Sequence, residues 1–130
     1  MGTNEWSLVT SDAREATRAR IAIRQFLALQ ADEERSDLDA AELIVGELVA
    51  NVIRHAPGAI GISVTWKGHE AVLAVSDRGP GVPLVRCAPD GHATSGRGLF
   101  LIQALAREVK IEAVRGHGSR VIVHLPVHRR

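Results

Sequence analysis

The chain has a single cysteine, Cys87, among its 130 residues. An intrachain disulfide and a paired-cysteine zinc site are therefore both excluded. Met1 to Ser11 holds no apolar run, so no secretory signal is expected. No stretch approaches the roughly 20 apolar residues that a membrane helix needs, and the cytoplasm is the expected compartment. Charge of one sign is also lacking: 16 basic against 15 acidic residues leave a net charge of +1. That balance supplies no electrostatic footprint for nucleic acid or an anionic membrane, and the short basic end His128, Arg129 and Arg130 is no polybasic tail. Internal repeats and linker-like stretches are missing too. What is present is globular composition, 45% apolar and 24% charged, at a length suited to one core, which predicts a single domain over residues 1–130.

Periodicity divides the chain into elements. Glu5 to Val9 reads as a short strand, and Thr10, Ser11 and Asp12 offer N-caps for a helix from Ala13 to about Leu29. Its core stripe is Ala16, Ala19, Ile23, Phe26 and Leu27, with arginines 14, 18, 20 and 24 mostly on other faces. After the charged loop Asp32 to Asp37, a second helix runs from about Leu38 to Ala56. Leu38, Ala41, Ile44, Val45, Leu48 and Val52 form its apolar stripe, and Pro57-Gly58 stops it. Ile60, Ile62, Val64 and Trp66 alternate with small or polar residues as in a half-buried strand. A turn at Lys67-Gly68-His69 leads to the apolar run Ala71 to Val75, expected to be covered on both faces. Val82 to Ser95 shows no period and predicts a long loop. A third helix follows from Gly96 to about Arg107, then strands Val109 to Val114 and Arg120 to Leu125 around Gly116-His117-Gly118. The order β-α-α-β-β-α-β-β describes an α+β fold, a two-layer α/β sandwich with helices on one face of a mixed, mostly antiparallel sheet.

Three places carry chemistry. On the second helix Glu47, Asn51 and His55 recur every fourth residue, forming a polar row beside the apolar stripe. Mg²⁺ bound to a nucleotide keeps most of its shell from water and phosphate, so one amide oxygen can suffice from the protein. A carboxylate one turn away could then orient or deprotonate a hydroxyl. The same row is equally the solvated edge of an amphipathic helix. Next, Asp77 ends the apolar strand and opens Asp77-Arg78-Gly79-Pro80-Gly81-Val82-Pro83. A carboxylate there could accept from the exocyclic amine of adenine, while guanine would present a repelled carbonyl. Asp-Gly-Pro sequences also form ordinary turns. Last, Gly96-Arg97-Gly98-Leu99 opens a helix whose backbone N–H groups could hold phosphates, or simply a helix cap. The lysine and hydroxyl of a Walker loop do not follow these glycines, and no strand leads into them as in a dinucleotide fingerprint.

In this order the motifs Glu-Leu-Val-Ala-Asn-Val-Ile-Arg-His-Ala, Asp-Arg-Gly-Pro-Gly-Val-Pro and Gly-Arg-Gly-Leu resemble the N, G1 and G2 boxes of the Bergerat-fold ATPases. That superfamily includes gyrase subunits, heat-shock chaperones, sensor histidine kinases and mismatch-repair ATPases. The resemblance spans about Glu5 to Leu125. It is greatest to the small anti-sigma factor serine kinases in the runs Glu47 to Ala56 and Gly96 to Ala106. It implies ATP and Mg²⁺ as ligands, Asn51 as the magnesium ligand and Glu47 as general base. Asp77 would bind adenine in a pocket shaped by Gly79, Gly81 and Val82. Residues 82–95 would form a lid, Gly96, Arg97, Gly98 and Leu99 the phosphate site, and Ser119 the hydroxyl assisting Asp77, where many relatives carry threonine. His55 fits the pattern without a defined role.

Other members are excluded on chemical grounds. No histidine precedes His55, so the hairpin phosphoacceptor of a sensor kinase is not expected, and the few residues after Leu125 leave no room for a transducing domain. The expectation is a protein serine/threonine kinase that phosphorylates an anti-anti-sigma partner, sequesters a sigma factor, pairs as a homodimer and binds neither nucleic acid nor membrane. Arg86 and Arg97 are candidates for neutralising transferred charge, or are solvated arginines. The alternative is an ATP-binding switch module that binds partners without phosphoryl transfer; Glu47 favours transfer, since a pure binder needs no base there.

Overall fold

The structure is a computed structural model describing residues 4–55, 58–77, 105–106, 108–114 and 118–130; His55, 111–114, 118 and 119 are described in backbone only. Strand β1, Glu5–Thr10, leads directly into helix α1, Ala13–Ala28. Of the three predicted caps, Asp12 takes the position: its carboxylate accepts the backbone N–H groups of Arg14 at 2.8 Å and Glu15 at 3.4 Å. The buried residues of α1 are Ala16, Ala19, Ile23, Phe26 and Leu27, the predicted stripe. Helix α2, Leu38–His55, starts at Asp37, whose side chain accepts from Ala40 N at 2.9 Å.

Strands β2, Ile60–Lys67, and β3, Glu70–Asp77, form a hairpin closed by Gly68-His69. Gly68 has φ of 62°, the left-handed value that the first central position of such a two-residue turn requires. Strands β4, Glu108–Val114, and β5, Gly118–His128, complete a five-stranded sheet of order β1-β2-β3-β5-β4. Every described pairing is antiparallel. Helices α1 and α2 pack together; α1 contacts β1 and β2, and α2 contacts β3 and β5. Between the layers lies one core that includes Ile23, Leu27, Ile44, Leu48, Ile62, Leu73, Val75 and Leu125. Leu105 and Ala106, at the end of the predicted third helix, pack partly buried against it; the rest of that helix lies outside the described residues. Among the described residues no helix is long and apolar enough to cross a membrane.

Two expectations change. Among the described residues, helices cover one face of the strand expected to be covered on both. Ala71, Leu73 and Val75 face the core, and on the other face Val72 is buried while Ala74 is half-buried. The last strand also runs three residues past Leu125. Tertiary hydrogen bonds hold that extension: Asp37 N donates to Pro126 O at 2.8 Å and Asp32 N to His128 O at 2.7 Å. Opposite it the β3 register shifts between Glu70 and Val72, the kind of irregularity that accommodates a proline in a strand.

Candidate active site between the helix and sheet layers

Helix α2 buries residues 44, 45, 48, 49 and 52 against the sheet, and residue 51 falls on the same stripe by the 3.6-residue period. Asn51 is therefore drawn into the core, at 6% exposure. Burying an amide among aliphatic side chains is costly without polar partners, so the solvated-edge alternative does not hold for this residue. Glu47, one turn earlier, is half-buried, while Ile53 and Arg54 are exposed. The side chain of His55 lies outside the described residues.

Asp77 shares the parity of Ala71, Leu73 and Val75, which places its carboxylate on the core face at the last position of β3, 3% exposed. An ordinary exposed turn aspartate would not be buried in this way. Ile60, the first residue of β2, faces it across the hairpin. Asp37, at the start of α2, bonds to Pro126 at the far end of β5, whereas His55 at its finish precedes Ile60 by five residues. The C-terminal half of α2 and the end of β3 thus meet at one end of the molecule, bringing Asn51 and Asp77 to the same edge of the interlayer space.

The row continues into β1, where Thr10 pairs with Ile60 and, among the described residues, is the third buried polar side chain beside Asn51 and Asp77. Its Oγ1 accepts from Asp12 N at 3.0 Å, so its hydroxyl serves the entry to α1. On the other side, Ser76 pairs with Arg120, which makes the backbones of Asp77 and Ser119 neighbours on antiparallel strands. Gly79, Gly81, Val82, Gly96, Arg97, Gly98 and Leu99 lie outside the described residues, as do Arg86, Cys87 and the expected lid at 82–95.

A feature the sequence reading missed lies on the outer side of Glu47. Arg20 of α1 binds Glu42 of α2 at 2.6 Å, and Arg24 binds Asp39 at 2.6 Å and Glu42 at 3.2 Å. The hydrogen bond to Asp39 is the main cause holding the Arg24 pKa above its usual value. The signal was legible as two arginines four apart on α1 and two acids three apart on α2, each pair on one helix face. These pairs wall a cavity of about 440 Å³ that Leu43, Gly46 and Glu47 also line. Among the described residues, Glu47 is the carboxylate of this cavity that forms no ion pair.

A helical layer over one face of an antiparallel sheet, with a buried amide and a buried carboxylate at one shared end, defines a two-layer α+β domain with a polar interlayer site. The chain belongs to the histidine kinase-like ATPase domain family, whose profile matches residues 9–125. An ATPase domain implies ATP as its ligand. The chain is 26% identical over 117 residues to the anti-sigma F factor of Clostridium acetobutylicum, covering 81% of this chain and 80% of that protein. It is 26% identical over 125 residues to the anti-sigma F factor of Clostridium kluyveri, covering 87% of each. To the signal transduction histidine-protein kinase AfsQ2 of Streptomyces coelicolor it is 32% identical over 88 residues, 63% of this chain and 16% of that protein.

Proposed function

We propose that the chain is an ATP-dependent protein serine/threonine kinase acting as an anti-sigma regulatory factor. In this reading it is one cytoplasmic domain over residues 1–130, paired as a homodimer. It phosphorylates an anti-anti-sigma protein and sequesters a sigma factor when free of that partner. The observation that carries the reading is the pair of buried polar side chains, Asn51 from α2 and Asp77 from β3, at one end of the interlayer space with Glu47 a turn away. The names of the two clostridial relatives support the regulatory role.

The donor set fits the ligands. Mg²⁺ on a nucleotide draws most of its ligands from phosphate and water, so a single amide from the chain can complete its shell. Magnesium would supply neutralisation of phosphate charge. Asn51 offers it one amide oxygen. Asp77 accepts from the adenine amine, its backbone neighbour Ser119 assists, and Gly79, Gly81 and Val82 shape the base pocket. Gly96, Arg97, Gly98 and Leu99 hold the phosphates, under a lid at 82–95. Glu47 takes the proton of the acceptor hydroxyl as that oxygen receives the γ-phosphoryl group and ADP departs. The work asked of the chain is positioning and proton removal.

Incubation of the purified protein with radiolabelled ATP, Mg²⁺ and the anti-anti-sigma proteins of its own genome tests this. Label is expected on a serine or threonine of one of them, with Glu47→Gln slower by about 10²–10⁴-fold. Label on none of them refutes the kinase reading, whatever the rate of ATP hydrolysis.

A further inference from the structure

Gly61 stands inside β2, where glycine weakens a strand unless a bulge, a bend or a close approach calls for it. The described pairings of β2 contain no bulge. Its registers with β1 and β3 run through Gly61 without a shift, with Val9 opposite on one side and Ser76 on the other. The backbone there is not left-handed either, since the positive-φ glycines among the described residues are Gly58 and Gly68. The reason is a close approach. A Cβ built on Gly61 would meet the Ser76 Oγ at 2.8 Å, whereas ordinary van der Waals contact begins at 3.4 Å. Among the described residues beyond its chain neighbours, that oxygen is the one atom within 4 Å. The Ser76 hydroxyl thus fills the notch that the missing side chain leaves on the outer face of the sheet.

Ser76 immediately precedes Asp77, and strand alternation puts the two side chains on opposite faces. The Gly61–Ser76 rung lies next to Ile60–Asp77, the terminal rung of the β2–β3 ladder. A hydroxyl seated in the notch therefore fixes how closely the end of β3 lies against β2, one residue from the buried carboxylate. We infer, on the role given to Asp77 above, that Gly61 is a positioning residue for that carboxylate. By leaving room for the Ser76 hydroxyl it sets where Asp77 meets the adenine amine. A methyl group at position 61 would be about half an ångström too close to Oγ, so either the strands part or the hydroxyl leaves the notch. N–H···O bonds span only about 2.7–3.2 Å, and a displacement of that size at Asp77 takes its oxygen out of reach of the amine. The loss falls on the bond to the amine, and the other contacts of the nucleotide are spared.

Calorimetry with Mg²⁺ compares ATP with purine riboside triphosphate, which lacks the exocyclic amine, on the parent chain, Gly61→Ala, Ser76→Ala and the double variant. The parent should prefer ATP about tenfold or more, the value of a hydrogen bond to a charged group. In Gly61→Ala that preference should shrink to about threefold or less, with affinity for the amine-free analogue kept within about twofold. The double variant trades the hydroxyl for the methyl, leaves two Cβ atoms at ordinary cross-strand distance and should restore the preference. Ser76→Ala alone empties the notch without a clash and should weaken the preference about threefold, which carries the test should Gly61→Ala fail to fold. Parent-like preference in Gly61→Ala and Ser76→Ala overturns the positioning role and leaves Asp77 as the adenine acceptor. Equal loss of both nucleotides in Gly61→Ala, or no recovery in the double variant, overturns it as well. A parent chain that does not distinguish the two nucleotides overturns both readings.

Discussion

Ser36 and His128, 92 residues apart, exchange two hydrogen bonds: Ser36 Oγ donates to His128 O at 3.1 Å and accepts from His128 N at 2.9 Å. One hydroxyl thereby closes the α1–α2 loop onto the end of β5. Ser36→Ala leaves a strand N–H and its carbonyl without this partner and should destabilise the fold by about 1–2 kcal/mol. For a chain of this size that is a drop of about 3–6 °C in melting temperature by circular dichroism. An unchanged melting curve would show that water replaces the serine at no cost.

Asp77→Asn keeps the shape of the side chain and removes its charge. An acceptor of the adenine amine becomes an ambiguous amide, and ATP affinity by calorimetry should fall about 10–100-fold, the value of a hydrogen bond to a charged group. Retained affinity would place the base elsewhere.

Leu48 is fully buried at 0% exposure in the centre of the α2 stripe. Leu48→Ala should cost about 2–5 kcal/mol in denaturant unfolding, through lost transfer energy and the cavity left behind. A cost below about 1 kcal/mol would mean that α2 settles freely onto the sheet.

The ion pair between Arg24 and Asp39 joins side chains 37% and 88% exposed. A double-mutant cycle should return a coupling below about 1 kcal/mol that shrinks as salt is raised. A larger coupling, insensitive to salt, would contradict the solvation assigned to this pair.

Gly58 follows α2 with φ of 116° and has open space around it. Gly58→Ala should therefore destabilise by about 1–3 kcal/mol through backbone strain alone, with no clash involved. Chemical denaturation would detect this, and a neutral result would show that the segment relaxes to another conformation.

The stripes of both helices were legible because a single buried face enforces a 3.6-residue period, and β2 because alternation enforces a period of two. The row of Glu47 and Asn51 was legible as spacing, yet spacing does not separate a solvated edge from a buried amide. Only the rotation of α2 against the sheet does so. Asp77 is similar: its motif reads as a turn until the parity of β3 turns it inward. The length of β5 could not be read locally, because Pro126 argues against a strand and the bonds from Asp32, Ser36 and Asp37 that hold it come from distant sequence. The α1–α2 ion pairs were visible as charge patterns, but their partnership depends on how two helices cross.

Strand β5 has neighbours on both sides, while β3 and β4 never touch each other directly. Until β5 is seated, the β1–β2–β3 meander keeps one flank of β3 with its amides and carbonyls exposed, and β4 lacks the strand it pairs with. A chain interrupted anywhere within residues 118–128 would thus carry a sticky, apolar strand edge that invites association with other chains. Completion of the sheet from its interior makes late damage to this polypeptide a solubility defect before it is a loss of activity.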